Sequence, residues 1–148
     1  MADDLTVDIV TPDEHAFQGS ANGVRAPGVE GSFEVRHNHA PMISAFGIGP
    51  LIVKTDSRHE YADRGGRIVF ATSGGFLEIV ENKVTVLAET VEPASEIDVE
   101  RAESAEERAR RRLEDGAEGD ERETHKAALE RARNRLRVAM GKVGQGSS

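Results

Sequence analysis

The chain changes character once, between Glu92 and Asp98, and that change limits what it can fold into. Up to Glu92, short apolar runs alternate with turn residues. After Pro93 there is no further proline, and no glycine before Gly116. Alanine, glutamate and arginine dominate there, and all three favour helix. The order of elements is therefore strands first and helices second, which points to an α+β arrangement of segregated halves. The division falls at 1–92 and 93–148.

Within the first half, Leu5, Val7 and Ile9 alternate with Thr6, Asp8 and Val10, the pattern of a half-buried strand. Further strands are expected at Phe17, Val24–Ala26, Phe33–Val35, Ile43–Phe46, Leu51–Lys54, Arg67–Thr72, Phe76–Val80 and Lys83–Leu87. Turn signals separate them, among them Pro12-Asp13, Gly49-Pro50, Gly65-Gly66 and Gly74-Gly75. Glu81-Asn82 joins two of the runs as a tight hairpin. Many short strands with frequent turns imply a sandwich or flattened barrel. In the second half, Ala102, Ala105, Ala109 and Leu113 form one helical stripe, and Leu129, Ala132, Leu136, Met140 and Val143 form another. The pattern predicts a helical hairpin, about 98–114 and 120–141, with Asp120 and Glu123 as a capping box for the second helix. The tail from Gly144 to Ser148 is expected to fray.

Composition excludes several functions. A net charge of −8 opposes binding to a phosphate backbone, so nucleic acid is not an expected partner. With no cysteine, neither a disulfide framework nor a thiolate metal site can form. No apolar run approaches the length of a bilayer span, so membrane contact is expected only through a partner. The acidity is uneven. Residues 1–92 carry 14 acids and 7 bases, whereas 93–148 carry 13 and 12.

Two constellations invite a functional reading. Gly31 and His37-Asn38-His39 match the opening Gly-x5-His-x-His of a cupin metal motif, but Ile43 and Ser44 stand where that motif needs a glutamate. Loop histidines are the better reading. The second constellation is the arginines. Arg101 and Arg108 share a face of the first helix, as Arg131 and Arg135 do on the second. A hairpin turning near residue 117 brings all four to one side. They would repel unless neutralised. Glu103, Glu106, Glu107 and Glu130 could do this, and so could a bound phosphate group. The alanine-rich seam buries little per residue. The hairpin is therefore either a cheaply released switch or a static extension, and composition leaves both open.

The segment Pro27-Gly28-Val29-Glu30-Gly31-Ser32-Phe33-Glu34-Val35, followed by His39-Ala40-Pro41, resembles a signature of the epsilon subunit of the bacterial F-type ATP synthase. So does Ser73-Gly74-Gly75-Phe76-Leu77-Glu78-Ile79 running into Asn82-Lys83-Val84-Thr85-Val86-Leu87-Ala88, and so does Ile97-Asp98-Val99-Glu100-Arg101-Ala102. The resemblance spans nearly the whole chain in order. It implies a flattened ten-stranded β-sandwich followed by an antiparallel two-helix hairpin. It implies a non-catalytic rotor subunit with no obligatory cofactor, peripheral to the cytoplasmic face of the bacterial inner membrane. The implied partners are the gamma subunit and the ring of c subunits, with the alpha and beta subunits added when the hairpin extends and inhibits ATP hydrolysis. In some members the folded hairpin binds ATP as a regulatory ligand. The matching positions here are Glu92, Asp98, Arg101, Ala102, Arg108, Arg131 and Arg135. Asp98 would accept from the adenine amino group, Ala102 would leave room for the ring, and the arginines would meet the phosphates. One departure is Arg36-His37-Asn38, where many members have Leu-Pro-Gly or Leu-Pro-Asn. The alternative to this family reading is a stand-alone β-sandwich with an anion-binding arginine hairpin.

Overall fold

The computed structural model describes residues 5–56 and 58–143. The expected fraying of Gly144 to Ser148 lies outside these residues. Ten strands form two five-stranded sheets. They are β1 (Leu5–Val10), β2 (His15–Ala21), β3 (Gly23–Ala26), β4 (Phe33–Val35), β5 (Met42–Phe46), β6 (Gly49–Lys54), β7 (Arg67–Thr72), β8 (Gly75–Val80), β9 (Lys83–Ala88) and β10 (Val91–Pro93). One sheet runs β2-β1-β9-β8-β5 and the other β10-β7-β6-β3-β4. Pairing is antiparallel except between β1 and β9, where Val7 meets Val84 and Ile9 meets Val86.

Alternation fixes which face turns inward, because a one-residue slip would move every apolar side chain to the other side. Leu5, Val7 and Ile9 point into the core with Leu51, Val53, Ile68, Phe70, Leu77, Ile79, Val84 and Val86. The Glu81-Asn82 turn is built as the sequence predicts. Both residues have positive φ, 48° and 64°, the type I′ geometry whose twist suits a two-residue hairpin. β10 has no alternation to announce it. It is three residues long and pairs with β7 through Glu92↔Ala71 and Pro93↔Phe70. Pro93 lacks an N–H, and the edge of a sheet is where that lack is tolerated.

A 3-10 turn, Ala94–Glu96, leads into α1 (Val99–Glu114) and α2 (Gly119–Ala139). Asp98 caps α1 by accepting the Arg101 N–H at 3.1 Å. Both helices end in Schellman motifs with glycine in the left-handed conformation. Gly116 N–H donates to Leu113 O and Ala117 N–H to Arg112 O, and Gly141 and Lys142 repeat the arrangement. The capping box predicted from Asp120 and Glu123 does not form. α2 starts earlier, with Glu118 as its N-cap and no side-chain cap bond. Asp120 and Glu121 lie inside the first turn, where they favour the positive end of the helix dipole.

The buried stripe of α2 is also rotated from the predicted one. Ala132 and Val143 are buried as expected, but Met140 is 50% exposed, while Asn134 and Val138 are buried. The helix must satisfy two surfaces at once, α1 on one side and the sandwich on the other. Val138 and Val143 join Ile97 against Ile52 and Ala71, which lie on the outer face of the second sheet. α1 buries only Ala102 and Ala109, so its seam is made of methyl groups.

Candidate functional site

The hairpin packs on the outer face of the second sheet at β6 and β7, and a cleft of about 570 Å³ opens beside β10. Its wall holds Glu92, Asp98, Arg101, Ala102, Arg108 and Arg135, six of the seven predicted positions. Several pieces of local structure place them. Glu92 is held by the β10–β7 ladder, Asp98 is the helix cap, and Arg101, Ala102 and Arg108 follow along α1. Arg135 reaches across from α2 and donates through Nε to Glu92 Oε1 at 2.6 Å. Arg131 lies one compartment away. It lines a space of about 10 Å³ with Thr72, Ser73, Thr90, Asn134 and the same Glu92 and Arg135. The Glu92–Arg135 pair therefore forms the wall shared by the two spaces.

The glutamates do not neutralise the predicted arginine cluster. Glu106 pairs with Arg133 across the hairpin at 3.2 Å. Glu107 pairs along its own helix with Arg110 and Arg111, whose hydrogen bonds hold its carboxyl below the usual range. All three carboxylates in the wall of the cleft already have partners. Glu92 holds Arg135, Asp98 caps the helix, and Glu96 accepts from Tyr61 Oη at 2.5 Å. That bond, with some burial, pushes the Tyr61 phenol up to about 12. Among the described residues, no carboxylate lies within ion-pair distance of the guanidiniums of Arg101, Arg108 or Arg131. Unpaired guanidiniums around a cleft favour an anion, and their forked donors suit phosphate oxygens.

Sequence reasoning missed Thr90, Glu96 and Ala105 in this wall, and it missed Asn134 altogether. Asn134 is 2% exposed. Its Nδ2 donates to Gly49 O at 2.8 Å and to Thr72 O at 3.4 Å, tying α2 to the starts and ends of two strands. Its Oδ1 is buried with no hydrogen-bond donor from the protein among the described residues. A helical signal for it existed, because Asn134 and Val138 are four apart and so share a face. The histidine pair offers no comparable site. His37 is exposed, and His39 Nδ1 donates to Ala40 O at 2.8 Å. Among the described residues, no group of three or more His, Asp or Glu side chains is placed to hold a metal. No helix among them is long and apolar enough to cross a membrane.

A second surface lies on the outer face of the first sheet. Ile43, Phe76 and Leu87 are 68%, 53% and 54% exposed. Phe76 and Leu87 stand opposite each other on β8 and β9, and Phe76 stands opposite Ala45 on β5. Phe76 and Leu87 line an apolar cleft of about 710 Å³ that also includes Val10, Pro12 and Ala45.

Comparison with known proteins agrees with this architecture. Residues 4–94 match the family model described as ATP synthase, Delta/Epsilon chain, beta-sandwich domain. Residues 95–140 match the long alpha-helix domain of the same chain type. The chain is 79% identical over 145 residues to the ATP synthase epsilon chain of Salinibacter ruber, covering 97% of each. It is 43% identical over 136 residues to that of Anaeromyxobacter sp. strain K, covering 91% of this chain and 97% of the relative. A chain of the Euglena gracilis mitochondrial ATP synthase OSCP/F1/c-ring assembly shares the fold, with a TM-score of 0.77 at 22% identity over 95% of this chain and 83% of that one. The ten-stranded sandwich, the helical hairpin and these full-length matches together make the chain a member of the ATP synthase delta/epsilon family, among the bacterial epsilon chains.

Proposed function

We propose that the chain is a non-catalytic central-stalk subunit of a proton-translocating F-type ATP synthase, with a hairpin that senses ATP. The sandwich attaches to the gamma subunit and faces the c ring. The assembled complex brings it to the cytoplasmic face of the bacterial inner membrane, where it is peripheral. The exposed apolar face at Ile43, Phe76 and Leu87 supports attachment to a partner, since contiguous exposed apolar area of this kind marks protein contacts. When released, the hairpin extends towards alpha and beta and inhibits ATP hydrolysis. When folded, it holds ATP in the cleft as a regulatory ligand.

The observation that carries the nucleotide reading is the charge arrangement of the cleft. Arg101 and Arg108 face it without carboxylate partners among the described residues, and its three carboxylates already hold Arg135, the α1 cap and Tyr61. The free second oxygen of Asp98 suits an amino donor, and buried Ala102 leaves a flat wall for a ring. Arg135 donates to Glu92 through Nε, which leaves its two Nη groups to meet a phosphate.

The test is calorimetric titration of the full chain with ATP, with and without magnesium. A ligand that binds only the folded form stabilises it by about 2.7 kcal/mol at a hundredfold excess over Kd. Arg101→Ala and Arg131→Ala should each abolish the thermal shift. An unchanged shift in both variants refutes the arginine assignment, and no heat at millimolar ATP leaves the hairpin a mechanical element.

A further inference from the structure

The connection between β6 and β7 sends one side chain to the hinge. Residues 58–66 of it are braced internally. The Asp63 carboxylate accepts from Gly65 N–H at 2.8 Å and Arg67 N–H at 2.9 Å, and Ala62 N–H donates to His59 O at 3.0 Å. His59 packs between Phe17 and Tyr61, with ring centroids 5.2 and 5.4 Å away. Its Nδ1 accepts the Tyr61 N–H at 3.1 Å. Tyr61 is thus a rigid arm built on the core of the sandwich, and its hydroxyl ends on Glu96 Oε2, 35 residues along the chain. Glu96 closes the 3-10 turn that leads into α1, and it also lines the arginine cleft.

That position gives Glu96 a choice of partners. Glu92 and Asp98 already hold Arg135 and the helix cap through one oxygen each. Glu96 lines the same cleft as Arg101, and its bond to the phenol fixes where its carboxylate sits. A carboxylate that paired with Arg101 would occupy the donors an anion needs. We propose that Tyr61 is a positioning residue for the anion site: its phenol holds the Glu96 carboxylate to the sandwich, which fastens the hinge and keeps Glu96 off Arg101. The proposal rests on the nucleotide reading of the cleft and adds to it a residue outside the hairpin.

Tyr61→Phe removes the hydroxyl and leaves the ring in its stack. Calorimetric titration of the full chain should show ATP affinity falling by about three- to fivefold, the size of one partly exposed ion pair gained by the competing side chain. Glu96→Gln in the Tyr61→Phe background removes the competitor and should restore the wild-type affinity. A purely structural role for Tyr61 predicts no such rescue. Wild-type affinity in Tyr61→Phe, or an unrescued double variant, overturns the proposal. The absence of binding by the wild-type chain, whether to ATP or to inorganic tripolyphosphate, overturns the nucleotide reading and with it the role assigned at the cleft.

The contact itself has a separate readout, because Tyr61 is the sole tyrosine and the chain has no tryptophan. Phenolate absorbance should titrate at about 12 in the wild type. In Glu96→Gln it should return to the ordinary tyrosine value of about 10. Equal titration in the two proteins overturns the latch whatever the cleft binds.

Discussion

Val138→Ala should loosen the hairpin without weakening the sandwich. Val138 is 1% exposed and packs among Ile52, Ala71, Ile97 and Val143, which together form the apolar contact between α2 and the second sheet. The substitution deletes two methyl groups. At about 0.8 kcal/mol for each buried carbon, docking loses about 1.6 kcal/mol. That is about a fifteenfold rise in the ratio of released to docked hairpin. Alanine is a better helix former than valine, so a loss cannot be blamed on a weakened helix. Helices of this length are marginal once released. Amide hydrogen exchange therefore reads the release directly. Protection of amides along the Ala132–Ala139 segment should fall about fifteenfold, while Val7 and Val84 in the central strands keep theirs. An equal fall in both regions would refute the reasoning, because it would mean that the hairpin opens only when the whole chain unfolds. No fall in either would show that the Val138 contact contributes nothing.

Two other substitutions test the sandwich. Gly75→Ala should destabilise it by more than about 2 kcal/mol in a denaturant titration, because the new Cβ would lie 2.0 Å from Leu87 O at a φ of +158°. Glu34 tests the pH dependence. Burial raises its pKa, but hydrogen bonds from Lys54 at 2.9 Å and Arg36 at 2.5 Å outweigh that and hold the carboxyl below its ordinary value. A depressed folded-state pKa stabilises the fold at neutral pH, and the contribution is lost as pH falls through that value. Glu34→Gln should therefore cost about 1 kcal/mol at pH 7 and flatten the acid limb of the stability curve. Parallel acid limbs in the two proteins would show that the pair contributes nothing.

The sandwich was legible where its strands alternate. Leu5–Val10, Phe76–Val80 and Lys83–Leu87 each show one buried face in the sequence, and the structure pairs them as neighbours in one sheet. β10 was not legible, because three residues ending in proline carry no period. The helices were legible as helices from composition, but the face of α2 was not. The sequence pattern selects the apolar stripe through Leu136 and Met140. Docking instead turns Asn134 inward, because two carbonyl oxygens on the sandwich, of Gly49 and Thr72, accept from its amide. The site residues came from family resemblance and charge spacing, and six of them share one cleft. Which carboxylates serve which arginines was not legible. Glu92, Glu96 and Asp98 lie near the break in the sequence, but their partners are far along the chain or on its backbone.

The polar contacts of the hairpin explain why a ligand could decide its pose. Asn134 contributes one good hydrogen bond to Gly49 O, worth about 1 kcal/mol net. The Glu92–Arg135 pair is about one-third exposed on both sides, 38% and 34%, so it contributes about 1 kcal/mol or less. What remains is the small aliphatic contact around Val138. A pose held by so little is open to a ligand whose binding groups converge only in that pose. Glu92 belongs to the sandwich edge, Asp98 to the hinge, Arg101 and Arg108 to α1 and Arg135 to α2. Separation of the hairpin from the sandwich takes Arg135 away from Glu92. A ligand shifts an equilibrium by its differential affinity alone. At a hundredfold excess over Kd, ATP selective for the folded pose would move the balance about a hundredfold. That is more than the shift expected from Val138→Ala. ATP at a hundredfold excess over Kd should therefore raise the exchange protection of that variant about sevenfold above the wild-type level measured without ATP, and failure to reach even that wild-type level would separate the cleft from the control of the hairpin.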